Sequence, residues 1–249
     1  VILYINMILT KKEYFTFLLL ILPCSLLFAQ NRGGIITVEY QYQNKFFSHV
    51  ETLVANDSLS VYVRPSLNVK GKKEKPIEND KVNWVLPIGD IKTSSVSYFA
   101  SKKDKSIYEY TVNSNNKRFI VNDSTFNIIW KVDKTITKKI DKYNCYSATT
   151  TFRGRSYFAF FTPEIPISFG PYKFHNLPGL ILQLENKEND ISHTWNLKNI
   201  VWNKNEYKIP KVSDLEAPRL NAHQMFIMNR EIKAAKSKRF NSRLPTGVT

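Results

Sequence analysis

Most of this chain alternates apolar and polar residues with a period of two, which is typical of β-strands with one buried face. Residues 35–43 begin the pattern and place Val38, Tyr40 and Tyr42 on one side. Residues 50–63 continue it as two strands broken at 56–58. The same pattern predicts further strands at 106–112, 117–122, 126–132, 135–140, 144–152, 155–162, 180–185 and 191–202. Short turns join most of them, so the sequence indicates an antiparallel, mainly β protein.

The strand predicted at 155–162 is apolar on both faces. Tyr157, Ala159 and Phe161 share one face, and Phe158 and Phe160 share the other. Strands covered on both sides have this composition. We therefore expect this strand near the centre of the sheet.

The alternation ends at Arg219. From 219 to 240, apolar residues recur at helical spacing, and basic residues gather in the last turn. The pattern predicts one amphipathic C-terminal helix over 219–240. We expect a curved antiparallel sheet or half-barrel with this helix against it, and a closed β-barrel is the alternative.

Residues 1–29 have the features of a secretory signal peptide. With Met7 as the start, Lys11 and Lys12 precede an uncharged apolar run at 15–28, and Ala29 ends a cleavage site. The run is shorter than the roughly 20 residues of a membrane span. Acylation at Cys24 is an alternative, although the apolar run continues past it. We expect an exported single domain, 30–249, without a transmembrane segment, in the periplasm, at the outer membrane or secreted.

The net charge of +15 favours anionic partners. Export argues against nucleic acid, so we expect an outer-envelope protein or an anionic envelope component. Residues 64–81 are polar and lysine-rich, which predicts an exposed loop. Residues 230–243 hold six basic residues and one acid, which suit either the helix dipole or a binding surface.

No catalytic motif is present, and we expect no enzyme activity, cofactor or metal. His49, His175, His193 and His223 are not paired at short spacing, as metal ligands commonly are. Cys145 is the only cysteine after residue 29, so no intramolecular disulfide is expected there, and its apolar strand predicts a buried thiol.

Residues 162–179 form a long connection containing four prolines and two glycines. Connections of this length are usually functional or disordered. Its many apolar residues instead favour a rigid, packed loop. Leu177-Pro178-Gly179 predicts a type II turn in which Gly179 takes a positive φ.

The hexapeptide Asn176-Leu177-Pro178-Gly179-Leu180-Ile181 resembles the signature of the GLPGLI family, exported bacterial proteins of unknown function. The resemblance covers about 45 residues around 143–185. Asn176 replaces the first glycine, and asparagine readily enters left-handed conformations. The resemblance implies export and supplies no chemistry.

A folding motif is one interpretation of this segment. The other uses its polar residues, Arg153, Arg155, Tyr172, Lys173 and His175, as a binding surface. We expect a non-catalytic binding or accessory module for an envelope partner. One alternative is a carrier of a lipid or other apolar ligand, which requires an apolar cavity along Phe158 and Phe160. The other is a hydrolase or metalloprotein, which requires Glu164, His175 and His193 to converge.

Overall fold

The computed structural model of this protein describes residues 34–65, 96–123, 127–188, 191–203 and 208–242, without the side chains of 187–191 and 241. The predicted signal peptide at 1–29 and nearly all of the predicted loop at 64–81 lie outside these residues. No helix within them is long and apolar enough to cross a bilayer.

Twelve strands and one α-helix make up the described fold. The strands are β1 Ile35–Gln43, β2 Ser48–Ala55, β3 Leu59–Arg64, β4 Val96–Ser101, β5 Ser106–Val112, β6 Arg118–Asp123, β7 Lys131–Ile140, β8 Tyr143–Phe152, β9 Arg155–Thr162, β10 Leu180–Glu188, β11 Ile191–Asn203 and β12 Arg219–Asn221. A short 3-10 helix at Val212–Asp214 precedes β12, and helix α1 spans Ala222–Asn241.

All twelve strands belong to one open sheet, in the order β12-β6-β5-β4-β3-β2-β1-β11-β10-β9-β8-β7. Every pairing is antiparallel except that of β12 with β6. The predicted class, mainly β with one C-terminal helix, is confirmed. The closed-barrel alternative is wrong, because β12 and β7 are free ends of the sheet.

The sheet is strongly curved. Arg153 lies in the turn between β8 and β9, near one end of the strand order, and Asp123 ends β6, near the other. Arg153 Nη2 nevertheless donates a hydrogen bond to Asp123 Oδ2 over 2.7 Å. The two arms of the sheet therefore bend towards each other.

The loop at 163–179 fills the concave side between the arms. Its buried apolar residues pack with Tyr40, Leu53 and Phe161 from the sheet, and they are Ile165, Ile167, Phe169, Phe174 and Leu177. Tyr40 donates a hydrogen bond to the carbonyl of Ile181, at 2.7 Å. The loop is thus part of the core. A smaller core on the opposite face joins Val61, Phe99 and Ile120 to Ile209 and Leu215.

Strand β9 differs from its prediction. Tyr157, Ala159 and Phe161 are buried in the main core, whereas Phe158 and Phe160 are only half-buried and pack edge to face at 5.1 Å. The strand is third from the β7 edge. The expectation of a central strand covered on both sides is wrong, because the loop covers only the concave face.

Two element boundaries also differ. Residues 127–130 are not a strand, since Thr150 Oγ1 binds the Ile129 carbonyl and the Trp130 indole binds the His175 carbonyl. The helix begins at Ala222 rather than 219, because residues 219–221 pair with β6. Asn221 caps it, its side chain accepting from the Gln224 amide at 2.8 Å.

The helix is only weakly amphipathic. Met225 is buried, while Phe226 and Phe240 are 62% and 65% exposed. Polar contacts attach it to the β5–β6 turn: the side-chain oxygen Oδ1 of Asn229 accepts from Ser114 N and Oγ, both at 2.9 Å, and Lys236 Nζ donates to the Ser114 carbonyl. Its outer side is left open to solvent.

Gly179 has the predicted positive φ, but the predicted type II turn at Leu177–Gly179 is wrong. A type II turn has φ of about +80° at its third residue, but Gly179 has φ +156°. The Leu180 amide donates to the Ile165 carbonyl at 3.0 Å instead of closing the turn. Asn176 has φ 72°, a left-handed value. Gly179 is needed because a Cβ there would lie 2.0 Å from the Thr162 carbonyl oxygen.

Candidate functional site

A group of charges with a buried centre joins the two arms of the sheet, and we call it the Lys173 cluster (Glu109, Asp123, Arg153 and Lys173). Lys173 Nζ donates to Glu109 Oε2 at 2.9 Å and to Asp123 Oδ2 at 2.7 Å. Arg153 donates to the same Asp123 oxygen. The side chains of Lys173 and Asp123 are 2% and 4% exposed. The loop thus delivers a cation to the place where the arms meet.

Local backbone geometry places both cations. Arg153 and Gly154 have φ 52° and 77°, the positive values that a tight two-residue hairpin turn requires. Tyr172, with φ 59°, turns the loop just before Lys173. Burial alone would lower the pKa of Lys173, but Tyr172, Glu109 and Asp123 raise it above its ordinary value. Lys173 is therefore charged at neutral pH.

A second buried group surrounds Glu51, and we call it the Glu51 cluster (His49, Glu51, Tyr62, Arg64 and Trp195). One carboxylate oxygen accepts from His49 Nε2 at 2.9 Å and Arg64 Nε at 2.8 Å. The other accepts from Trp195 Nε1 at 2.8 Å and from the Tyr62 hydroxyl. Burial would raise the pKa of Glu51, but these donors and the Arg64 charge hold it below its ordinary value. The carboxylate is ionised and fully occupied.

His49 is oriented by this carboxylate. Nε2 faces the Glu51 carboxylate and donates to it, while Nδ1 is buried without a partner among the described residues. The Tyr42 ring lies 4.8 Å from the His49 ring, and the Tyr42 hydroxyl is 2.7 Å from His193 Nδ1.

Two tyrosines connect the clusters. The Tyr98 and Tyr172 rings meet edge to face at 4.9 Å. Lys173 Nζ lies 4.8 Å from the Tyr98 centroid, and the Arg64 guanidinium lies 5.9 Å from the Tyr172 centroid. Cations over aromatic faces are attracted by the ring quadrupole. The two clusters form one polar and aromatic seam beneath the loop.

An open cleft lies beside the Lys173 cluster. It has a volume of about 290 Å³ and lies between β5, β6 and the first half of helix α1. We call it the helix cleft; its lining residues are Glu109, Thr111, Val112, Val121, Asp123, Arg153, Lys173, Ala222, Met225, Phe226 and Asn229. Arg153, 47% exposed, and Phe226 are its most accessible large side chains.

A larger groove of about 620 Å³ lies beside strands β7 to β10. Its lining mixes hydroxyl groups and charges with a few apolar side chains: Ile129, Trp130, Lys131, Thr149, Thr150, Thr151, Ser156, Tyr157, Phe158 and Glu185. Phe160 does not line it. It contains only one of the two phenylalanines that would line the apolar cavity of the carrier alternative.

The structure places the five predicted binding residues in different settings. Arg153, Tyr172 and Lys173 belong to the seam. His175 is buried beside it, with Nδ1 2.8 Å from the Lys173 carbonyl oxygen. Arg155 is exposed at the start of β9 and does not line the helix cleft.

The three residues of the hydrolase alternative have different partners. Glu164 accepts from the backbone and side chain of Asn144, at 2.8 and 3.1 Å. His175 contacts the Lys173 carbonyl, and His193 contacts Tyr42. Within the described ranges, no group of three or more His, Cys, Asp or Glu side chains is arranged to hold a metal ion.

The Glu51 cluster was not predicted from the sequence. His49 and Glu51 are two residues apart on β2, as are His193 and Trp195 on β11, so each pair shares a strand face. That β1 lies between β2 and β11 follows only from the pairing of the strands.

A family model described as "Protein of unknown function (Porph_ging)" matches residues 153–183. Two solved structures of PNGF-II, in C2 and P21 space groups, have similar folds, each with a TM-score of 0.54 and 15% identity over 80% of this chain. The chain spans 33% and 34% of those chains, about a third of their length. At this identity the likeness concerns the fold alone. No curated protein matches the chain.

Proposed function

We propose that this protein is an exported, non-catalytic binding module of the GLPGLI type, which takes a partner of the cell envelope at the helix cleft. The observation that carries the proposal is an open cleft with an accessible arginine and an accessible phenylalanine beside a buried, ion-paired floor. Aromatic residues and arginine are enriched at protein interfaces and contribute much of their binding energy.

The floor of the cleft supports binding rather than chemistry. Lys173 is held by two carboxylates, and Asp123 accepts from two cations, so each already has strong partners. A catalytic acid or base needs a proton that it can exchange near the operating pH, whereas the pKa of Lys173 is raised. The cluster is suited to holding the arms and the cleft in one shape.

Arg153 supplies the polar part of the interaction. Within the described residues its hydrogen bond is to Asp123 through Nη2, and a guanidinium has five N–H donors in all. A partner acceptor therefore finds a guanidinium already oriented by a buried carboxylate. A preorganised side chain loses less entropy on binding.

The test is site-specific photocrosslinking in the native cell, with a benzophenone side chain at position 226 or 240. The two phenylalanines are on the same helix and almost equally exposed, but only Phe226 lines the cleft. We expect one envelope protein to be crosslinked from position 226 and not from 240. Equal adducts from both positions, or none from 226, would contradict the proposal.

A second pair of variants tests the arginine. Arg153→Gln should reduce the adduct at 226, whereas the control Arg155→Gln, which alters an arginine outside the cleft, should leave it unchanged. Adducts reduced equally by both variants would show that general positive charge, rather than the cleft, attracts the partner. Thermal melting of each variant separates lost binding from lost folding.

A further inference from the structure

The exposed flank of helix α1 combines aromatic and basic residues. Phe226, Arg230, Lys233 and Phe240 form what we call the Phe226–Phe240 stripe. All four residues are exposed, and the two rings are among the most exposed large apolar side chains described. Solvent exposure of two phenylalanines on one helix is unfavourable unless a partner covers them.

Helical spacing puts these four side chains on one side. Arg230, Lys233 and Phe240 follow Phe226 by four, seven and fourteen positions. At 3.6 residues per turn these offsets are close to whole turns, and the two rings are about 21 Å apart along the axis. The cations lie between the rings.

The charge of this half of the helix is strongly positive. From 230 to 239 the helix has one acid, Glu231, and five basic residues: Arg230, Lys233, Lys236, Lys238 and Arg239. Lys236 is committed to the Ser114 carbonyl, which helps to fix the helix on the β5–β6 turn. Helix α1 therefore presents a preformed cationic surface without having to fold on binding.

We propose that the Phe226–Phe240 stripe docks the protein on an anionic lipid surface. Basic residues near such a surface are attracted to its headgroups, and aromatic rings insert at the interface between headgroups and acyl chains. Phe226 stands at the edge of the helix cleft, Phe240 lines neither described cavity, and the cations follow the same exposed side of the helix between them. The positive charge of this side complements an anionic lipid surface, and a flat, deformable surface can contact both rings although they are about 21 Å apart.

The experiment is co-sedimentation of the purified protein with phosphatidylcholine vesicles, with and without phosphatidylglycerol. We expect binding only when phosphatidylglycerol is present, and its loss in molar salt, where the Debye length falls to about 3 Å. Binding equal on neutral vesicles, or no sedimentation with anionic vesicles at low salt, would overturn the proposal.

Matched variants locate the surface. Arg230→Glu with Lys233→Glu should weaken vesicle binding by about tenfold or more. Lys134→Glu with Lys139→Glu makes the same change in net charge at exposed positions of strand β7 and should have a much smaller effect. Equal losses from the two pairs would refute the assignment to the helix.

The aromatic residues separate this proposal from the cleft. Phe226→Ser and Phe240→Ser should each weaken vesicle binding by about tenfold, since each loses one ring from the interface. Crosslinking of the cleft partner depends on position 226 alone. If vesicle binding survives both serine variants, lipid docking by the stripe is overturned, but the cleft proposal is unaffected. If the protein binds vesicles as expected but no protein is crosslinked from position 226, the cleft proposal is overturned and lipid docking is unaffected.

Discussion

Replacing Gly179 with alanine tests whether the loop is held by close backbone packing. An added Cβ would lie 2.0 Å from the Thr162 carbonyl oxygen and 2.9 Å from Pro163 Cα. Both neighbours are backbone atoms, so no side-chain rotation relieves the clash. The residue also has φ +156°, which alanine rarely adopts. Either strand β9 or the loop must therefore move.

Gly154 provides a matched control. It has φ +77°, and a Cβ there would meet no atom within 4 Å. Gly154→Ala should cost only the left-handed backbone strain, about 1–2 kcal/mol. Gly179→Ala adds overpacking of about 1–3 kcal/mol to a backbone strain of about 1–3 kcal/mol. We expect a loss of about 4 kcal/mol, a large part of the stability of a typical domain.

Urea unfolding followed by tryptophan fluorescence measures both variants. The free energy of unfolding comes from the midpoint and the m-value, which should stay constant if the unfolding remains two-state. Gly179→Ala should reduce the free energy by about 2 kcal/mol more than Gly154→Ala. If the two losses are equal, the contact with Thr162 does not determine the need for glycine, and the reasoning fails.

Three further predictions concern buried ionisable groups. Because the pKa of Glu51 is lowered on folding, its contribution to stability is present above pH 4.5 and is lost as the pH falls through the folded pKa. In Glu51→Gln the free energy of unfolding, measured with urea, should therefore decrease less steeply below pH 4.5. An unchanged slope would contradict this prediction. Lys173→Met leaves Glu109 without its cation and should cost about 3 kcal/mol, against almost nothing for the exposed control Lys139→Met in the same urea titrations. Burial raises the pKa of the Cys145 thiol to about 11, so thiol reagents should label it only at the rate of unfolding, and rapid native labelling would refute its burial.

Three strands were predicted with the bounds that the structure gives them. Residues 35–43, 106–112 and 155–162 have the bounds of β1, β5 and β9. Strand β4 escaped prediction because Tyr98 and Phe99, adjacent in sequence, are buried in the cores on opposite faces of the sheet. Strand β4 therefore lacks the period-two pattern. The opposite error occurred at 127–130, which was predicted as a strand but is held by hydrogen bonds to the Thr150 side chain and the His175 carbonyl.

The candidate site was predicted in part. Arg153 and Lys173 were selected because they are polar residues in an apolar segment, and the structure brings both to Asp123. Asp123 itself gives no local sign of its role, since it is an ordinary residue at the end of a strand. The Glu51 cluster required the positions of four strands, β1, β2, β3 and β11.

The sequence by itself determined most of the strand content, the C-terminal helix and the packed character of the loop, because side-chain alternation, helical spacing and apolar content are properties of a few neighbouring residues. Only the tertiary structure decided the strand order, the curvature that joins Arg153 to Asp123, and the reason for Gly179. These depend on atoms brought together from distant parts of the chain, such as Gly179 and the Thr162 carbonyl. Their contact follows from how the loop packs into the curved sheet, which no local pattern specifies.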